Sequence, residues 1–507
     1  MNIINIVNFI RSEEEYRTSK PELIETLENQ VAIIQQYHLP ATFLFQHDAF
    51  TKPEWVARVP QTDNIEIGMW LELNRSLIER AGCKWKGLPE RTWQYYSHID
   101  LTCGYMPEER KRIIDIAMDD FKKVFGYYPK TVGSWIIDSV SLAYMREKYG
   151  VNASLNCKDQ WLTDGYSLWG GYYNQAYYPC KNNMFSPAQT KDEQIDLPVF
   201  RMLGSDPVRQ YDCAMSDDNG QNVITLECYL HPKMNPRFGG SNEEWTKWFL
   251  EQMQVYDPLS FSYAQAGQEN PFVWAWQKKG FSMQMRLFDE LHRQGKINLM
   301  KVSDTADFYR SKYTMTPASV TEAETPEKQH GVWYCCKNYR TFVYGDNSIA
   351  RIKDIMIFDE EYKERYLEDN CKDSKSFYDN LPLVDSYRWG TENGHPSGIR
   401  FIKDGKELHG CTRVKTTKTS DTSISVALDI AGTSITLDLE ERGITVQGCS
   451  IAWCFANNTM SDITMSDGSI SLKYNGFERI IPIHGTVDKD TFTIHPKNGY
   501  ITLKLEK

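Results

Sequence analysis

Apolar and polar positions alternate between two periods along the first three hundred residues. Residues 3–9 (IINIVNF) form a short apolar run of strand type. Residues 21–37 then place Leu23, Ile24, Leu27, Val31 and Ile34 at helical spacing, with Pro21 near the first turn. ATFLFQ (41–46) and NIEIGMWLEL (64–73) read as the second and third strands. PEERKRIIDIAMDDFKKVFG (107–126) opens on Pro, carries two Glu in its first turn and ends on Gly. Those residues suit a helix start and stop. Proline lacks only an N–H that would be orphaned there, acids favour the positive end, and glycine adopts φ > 0. TVGSWIID (131–138) predicts a fourth strand, followed by a helix through Leu142–Tyr149 and a short strand, VNASLN (151–156). PVFRML (198–203), VITLECYL (223–230), FSYAQA (261–266) and INLMKV (297–302) are further strands, with a helix over about 273–294 before the last. Strands alternating with helices predict parallel β/α units. About eight in this length predict a (β/α) barrel of 7–8 strands rather than a flat doubly wound sheet, because no G-x-G-x-x-G turn follows the first strand.

The pattern changes after residue 316. Residues 317–331 (PASVTEAETPEKQHG) show no apolar period and read as a linker. Beyond it, SISVALDIAGTSITLDLEERGITVQ (423–447) alternates with period two around two turn signals, and ISLKY (470–474) and YITLKL (500–505) do the same. The expectation is an α/β barrel domain over 1–316, a linker over 317–331 and an all-β sandwich domain over 332–507.

Composition narrows the function classes. The chain has 507 residues, enough for two or three domains, and is 41% hydrophobic and 13% aromatic, so it is not a disordered chain. Its net charge of −11 argues against nucleic acid as a partner. No apolar run reaches membrane-spanning length, and the first residues lack the features of a secretion signal, so no membrane partner and a cytoplasmic location are expected. The 12 Cys are scattered and read as free thiols of a reducing compartment. The ten His are isolated, with no H-x-x-x-H or C-x-x-C pair, so neither a metal nor any other cofactor is expected. A homodimer is left open.

Reactive groups of such barrels sit at the C-terminal ends of strands. There the sequence offers Arg11, Glu13 and Glu14; His47 and Asp48; Trp70 and Glu72; Trp135 and Asp138; Asp159 and Asp164; Arg201 and Asp206; Glu227; and the run Gln268, Glu269, Asn270. Recurrent carboxylates beside aromatics suit a carbohydrate substrate, which presents hydroxyls and apolar C–H faces, and glycoside cleavage needs two carboxylates. Asp138, Glu269 and Glu227 are the catalytic candidates, although Asp138 equally suits a helix N-cap. The aromatic-rich stretch 164–189 supplies Trp169 and Tyr173 as a binding wall or as packing. Arg11 and Arg201 either pair with neighbouring acids or converge on an acidic sugar.

HLPATFLFQ (38–46) and EIGMWLEL (66–73) resemble elements of the glycoside hydrolase/deacetylase barrels, which include glycoside hydrolase families 57 and 38 and the NodB-like deacetylases. Trp70 and Asn74 stand near the positions where a deacetylase carries metal-binding His. In the retaining family 57 and 38 enzymes the nucleophile follows the fourth strand. The resemblance implies that role for Asp138, with the acid on a later strand. The expected function is therefore a glycoside hydrolase removing a terminal sugar. The alternatives are an exo-sialidase-like hydrolase using pocket arginines and a metal-dependent carbohydrate deacetylase.

Overall fold

The computed structural model describes residues 1–156, 166–209, 215–216, 220–221, 224–230, 237–387, 397–455 and 462–507. Asp159 and Asp164 lie outside the described residues.

Five parallel strands run in chain order: β1 (Asn2–Ile10), β2 (Ala41–Gln46), β3 (Ile65–Trp70), β4 (Thr131–Gly133) and β5 (Ala153–Asn156). The strand Val199–Arg201 adds to β5. On the other edge, Ser262–Ala266 adds to β1, which also pairs with Asn298–Met300. The sheet curls into a nearly closed barrel, and Gly204 N donates to Gln265 O (3.2 Å) across its seam. β1 is apolar on both faces because both are covered. Ile4, Ile6 and Ile10 face the helical layer, whereas Ile3, Val7 and Phe9 fill the interior with Leu44, Trp70 and Phe200.

The helix Lys20–Tyr37 buries Leu23, Leu27, Val31 and Ile34 against this sheet, and the Glu22 carboxylate accepts from Ser19 N at its start. The helix Pro107–Phe125 stops at Gly126, whose φ of 83° is the left-handed conformation expected of that residue. The helix Trp274–Arg293 packs so tightly on the segment 224–230 that a Cβ added at Gly280 would lie 2.1 Å from Cys228 O. Gly280→Ala is accordingly expected to destabilise the protein by about 1–3 kcal/mol, despite alanine's higher helix propensity. A lower urea midpoint would show it, and an unchanged one would mean that segment 224–230 moves aside.

Past residue 318 the described strands pair antiparallel with one another. A ten-stranded and an eight-stranded sheet enclose one core, including Val332, Ile352, Phe401, Val426, Leu437 and Ile501. The expected hairpins appear as Ser423–Ile430, Thr433–Glu440 and Gly443–Gln447.

Three expectations about local structure change. The run 131–138 is a strand only to Gly133, after which it becomes the loop that delivers Trp135 and caps the next helix. In VITLECYL the described residues 224–230 form an irregular segment with an isolated bridge between Thr225 and Ser205. The span 317–331 contains a strand, Ser319–Glu324, paired in full with His330–Cys335. Its polar side chains hid the period: Val320 lies in the core beyond, while the buried Glu322 pairs with His330 (2.7 Å). The stretch 166–189 is also more ordered than its composition suggests. Tyr166–Trp169 pairs in parallel with Ser376–Asp379, so the chain's two halves share a small sheet.

Candidate active site

A cleft of about 560 Å³ opens at the C-terminal ends of the barrel strands, lined by Arg11, Arg17, Tyr95, Trp135, Glu269 and Trp276 among others. The lining follows from topology. Arg11 follows β1 directly, Trp135 lies two residues past β4, and Glu269 lies three past Ser262–Ala266. Parallel strands aim all these ends the same way.

Arg11 organises the floor. Asn270 fixes its backbone, accepting from Arg11 N and donating to Arg11 O (2.9 Å each). The guanidinium stacks over the Trp93 ring at 4.7 Å and donates to both oxygens of Glu72 (2.9 and 2.8 Å). It also contacts Glu15 at 3.2 Å and Glu269 at 3.0 Å. Trp135 Nε1 donates to Glu72 as well. Arg17 braces Glu15 from outside, with two contacts of 2.6 Å, and stacks on Trp93 and Tyr95.

Several carboxyls thus surround one buried cation, and they cannot all ionise with equal ease. Burial pushes the Glu269 carboxyl up to about 7, with Glu72 adding to the shift and Arg11 opposing it. Burial likewise raises Glu72, against the pull of Arg11 and Trp135. Asp100 is fully buried, and neither of its carboxyl oxygens has a hydrogen-bond partner in the structure. Burial and the nearby Glu72 charge push it well above the usual carboxylate range. Glu15 behaves oppositely: despite burial, Arg17 and Arg11 hold it below its ordinary value. The floor therefore carries a charged pair-set around Arg11 and a proton held near neutral pH on Glu269, the carboxyl that reaches the cleft.

The structure brings Arg11, Glu72, Trp135, Glu269 and Asn270 together. Gln268 lies beside them and its Oε1 accepts from Glu269 N (2.9 Å). The other candidates are placed elsewhere. Asp138 is the N-cap of the helix Ser139–Tyr149, fully buried, with Arg110, Thr102 and both Ser141 groups occupying its oxygens. Four donors saturate its oxygens and it is not among the lining residues of the cleft, which fits the N-cap reading of Asp138 rather than the nucleophile. Glu227 sits in the irregular segment, where its Oε2 accepts from Thr225 Oγ1 (3.2 Å), and it is not among the lining residues.

His47 pairs with Asp120 (2.9 Å), and Asp48 accepts from Ser12. Trp70 lies inside the barrel, stacked on Phe9 at 4.0 Å, so it cannot serve as a sugar platform. Trp169 packs edge-on against Tyr387, and Tyr173 stacks on Trp333 at 4.0 Å. Both are buried where the two halves meet. Arg201 is buried and donates to Asn156 Oδ1 (2.6 Å). Asp206 accepts from Val208 N, Arg209 N and Trp245 Nε1, which makes it a turn anchor.

Sequence reasoning did not single out Glu15, Arg17, Trp93, Tyr95, Asp100, Phe272 or Trp276. The run WQYY (93–96) carried a signal, being aromatic without an apolar period. Asp100 carried none, since an acid in a loop has no visible burial. Among the described residues, no group of three or more His, Cys, Asp or Glu side chains is arranged to hold a metal ion. No described helix is long and apolar enough to cross a membrane.

No protein-family model and no curated protein matches the sequence. Solved structures do. A candidate glycoside hydrolase/deacetylase from Parabacteroides distasonis aligns over 74% of this chain and 90% of its own, at 15% identity and a TM-score of 0.54. A candidate polysaccharide deacetylase from Mycobacterium smegmatis aligns over 61% of this chain and 90% of its own, at 12% identity and a TM-score of 0.37. A family 57 branching enzyme from Thermococcus kodakaraensis aligns over 62% of this chain and 71% of its own, at 10% identity and 0.30. The last two are too distant to weigh. At these identities the first comparison speaks to architecture alone: the chain shares the fold of that structure over 74% of its length.

Proposed function

We propose that the protein is a carbohydrate-active hydrolase that cleaves a terminal sugar in the cleft at the barrel mouth. The observation that carries this reading is Glu269. It is a buried carboxyl with a pKa raised to about 7, contacting Arg11 at 3.0 Å and facing a cleft walled by Trp135, Tyr95, Phe272 and Trp276. A proton retained near neutral pH is what a general acid needs to protonate a leaving glycosidic oxygen. The aromatic walls offer faces for the C–H side of a sugar ring. Glu72 is buried behind the cleft and holds Arg11 and Trp135 in place, which makes it a positioning residue for the site.

The acidic-sugar alternative finds less support, because carboxylates already engage both cleft arginines: Glu15 and Glu72 on Arg11, and Glu15 on Arg17. The deacetylase alternative finds no metal ligand set among the described residues.

A panel of neutral, amino and acidic aryl glycosides, read by chromophore release with the product anomer followed by NMR, tests the proposal. Release from neutral or amino glycosides is expected. Deacetylation of N-acetylated sugars without any glycoside release would overturn it.

A further inference from the structure

Two cysteines 268 positions apart meet where the C-terminal half docks on the barrel. Cys371 N donates to Cys103 O (2.7 Å), while the Cys103 thiol donates to Ser97 O (4.0 Å) and the Cys371 thiol to Asp373 O (3.4 Å). A backbone hydrogen bond between adjacent segments holds the Cα atoms roughly 5–6 Å apart, within the span that a disulfide bridges. The contact is clamped on both sides. Ser97 N donates to Ser374 O (3.0 Å), Ser376 N donates to Ser97 Oγ (3.1 Å), and Asn370 Nδ2 donates to Gly104 O (3.3 Å).

The cover over this pair is thin. Cys103 and Cys371 are each 1% exposed, yet Lys372, Asp373 and Ser374, which follow Cys371 directly, are all exposed. We propose that Cys103 and Cys371 are a dithiol site that closes to a disulfide under peroxide, tying the segment 97–104 to the segment 370–376.

The two thiols differ in the way such chemistry requires. Burial pushes the Cys103 thiol up, whereas the neighbouring Cys103 and the Asp373 backbone hold Cys371 at about 7 against burial, so Cys371 is the attacking thiolate. Its sulfur attacks one oxygen of hydrogen peroxide. The O–O bond breaks, hydroxide leaves, and Cys371 becomes a sulfenic acid. Cys103 then attacks that sulfur as its proton passes to the departing hydroxide. Two thiols and one peroxide become one disulfide and two waters. The tie has a consequence for the cleft, because the stapled segment carries Asp100, whose backbone carbonyl accepts from Leu73 N (2.7 Å) just past β3.

The test treats the full chain with a small molar excess of hydrogen peroxide, alkylates it in denaturant, and digests it for mass spectrometry. The expected product is the Cys103 peptide linked to the Cys371 peptide, about 2 Da below the sum of the two thiol peptides and released by dithiothreitol. The oxidised protein is expected to melt at least about 2 °C higher than the reduced one, since the link closes a long loop. Cys103→Ser and Cys371→Ser should each abolish the link and the shift. Both cysteines fully alkylated after oxidation, Cys371 joined to a different cysteine, or Cys371 oxidised to sulfinic acid with Cys103 still a thiol would each overturn the proposal.

Discussion

Glu269→Gln is expected to lower kcat by about 100- to 10,000-fold while leaving substrate binding within a few-fold, the signature of a lost proton donor. Gln keeps the shape and a contact near Arg11 but cannot deliver a proton. The pH profile supplies an independent check. With the carboxyl raised from 4.5 to about 7, wild-type kcat should fall as pH rises through about 7, and this alkaline limb should be absent from the variant's residual activity. Linkage gives the matching stability trend. The folded state keeps a proton that the unfolded chain releases, so the stabilisation is full below pH 4.5 and is lost as pH rises through about 7. The variant lacks that dependence. Thermal midpoints of the two proteins measured from pH 4 to 8 would show it. A variant with undiminished turnover would remove Glu269 from the chemistry.

Arg110→Ala is expected to destabilise the protein by about 3–5 kcal/mol, because it strands a buried anion. Arg110 is fully buried and donates to Asp138 (2.9 Å), Tyr105 O (2.7 Å), Tyr366 O (2.8 Å) and Asp369 O (2.6 Å). Its removal leaves Asp138 without its counter-charge and unpairs three carbonyls, two of them from the C-terminal half. The loss should appear as a lower urea midpoint and as early proteolysis between residues 360 and 375. Asp138→Asn serves as the companion. It keeps a capping oxygen for Ser141 N, so it should cost less stability and leave turnover per folded molecule unchanged. Loss of turnover in folded Asp138→Asn would return this carboxylate to the chemistry that the resemblance implied.

The comparison of sequence with structure turns on what a pattern along the chain encodes. The barrel was legible because a covered parallel strand reads as a continuous apolar run, and each helix reads as a stripe with recognisable ends. Arg11, Glu72, Trp135 and Glu269 were legible because strand ends are where parallel topology places side chains. Asp138 was ambiguous for a physical reason. An N-cap and a catalytic carboxylate both follow a strand and precede a helix, and only the donors around the oxygens separate them. Trp70 and Trp169 share that ambiguity, since indoles serve cores as readily as sugar platforms.

By itself the sequence determined the layers. The alternation of periods dictated a (β/α) barrel followed by antiparallel sheets, because burying each apolar stripe leaves few other arrangements. Only the tertiary structure decided the site. It converged Glu15, Glu72 and Glu269 on the one guanidinium of Arg11, buried Asp100 beside them, and set Tyr95 and Trp276 across a common cleft. Residues far apart along the chain acquire their protonation states from burial and from each other's fields, and neither exists until the chain has folded.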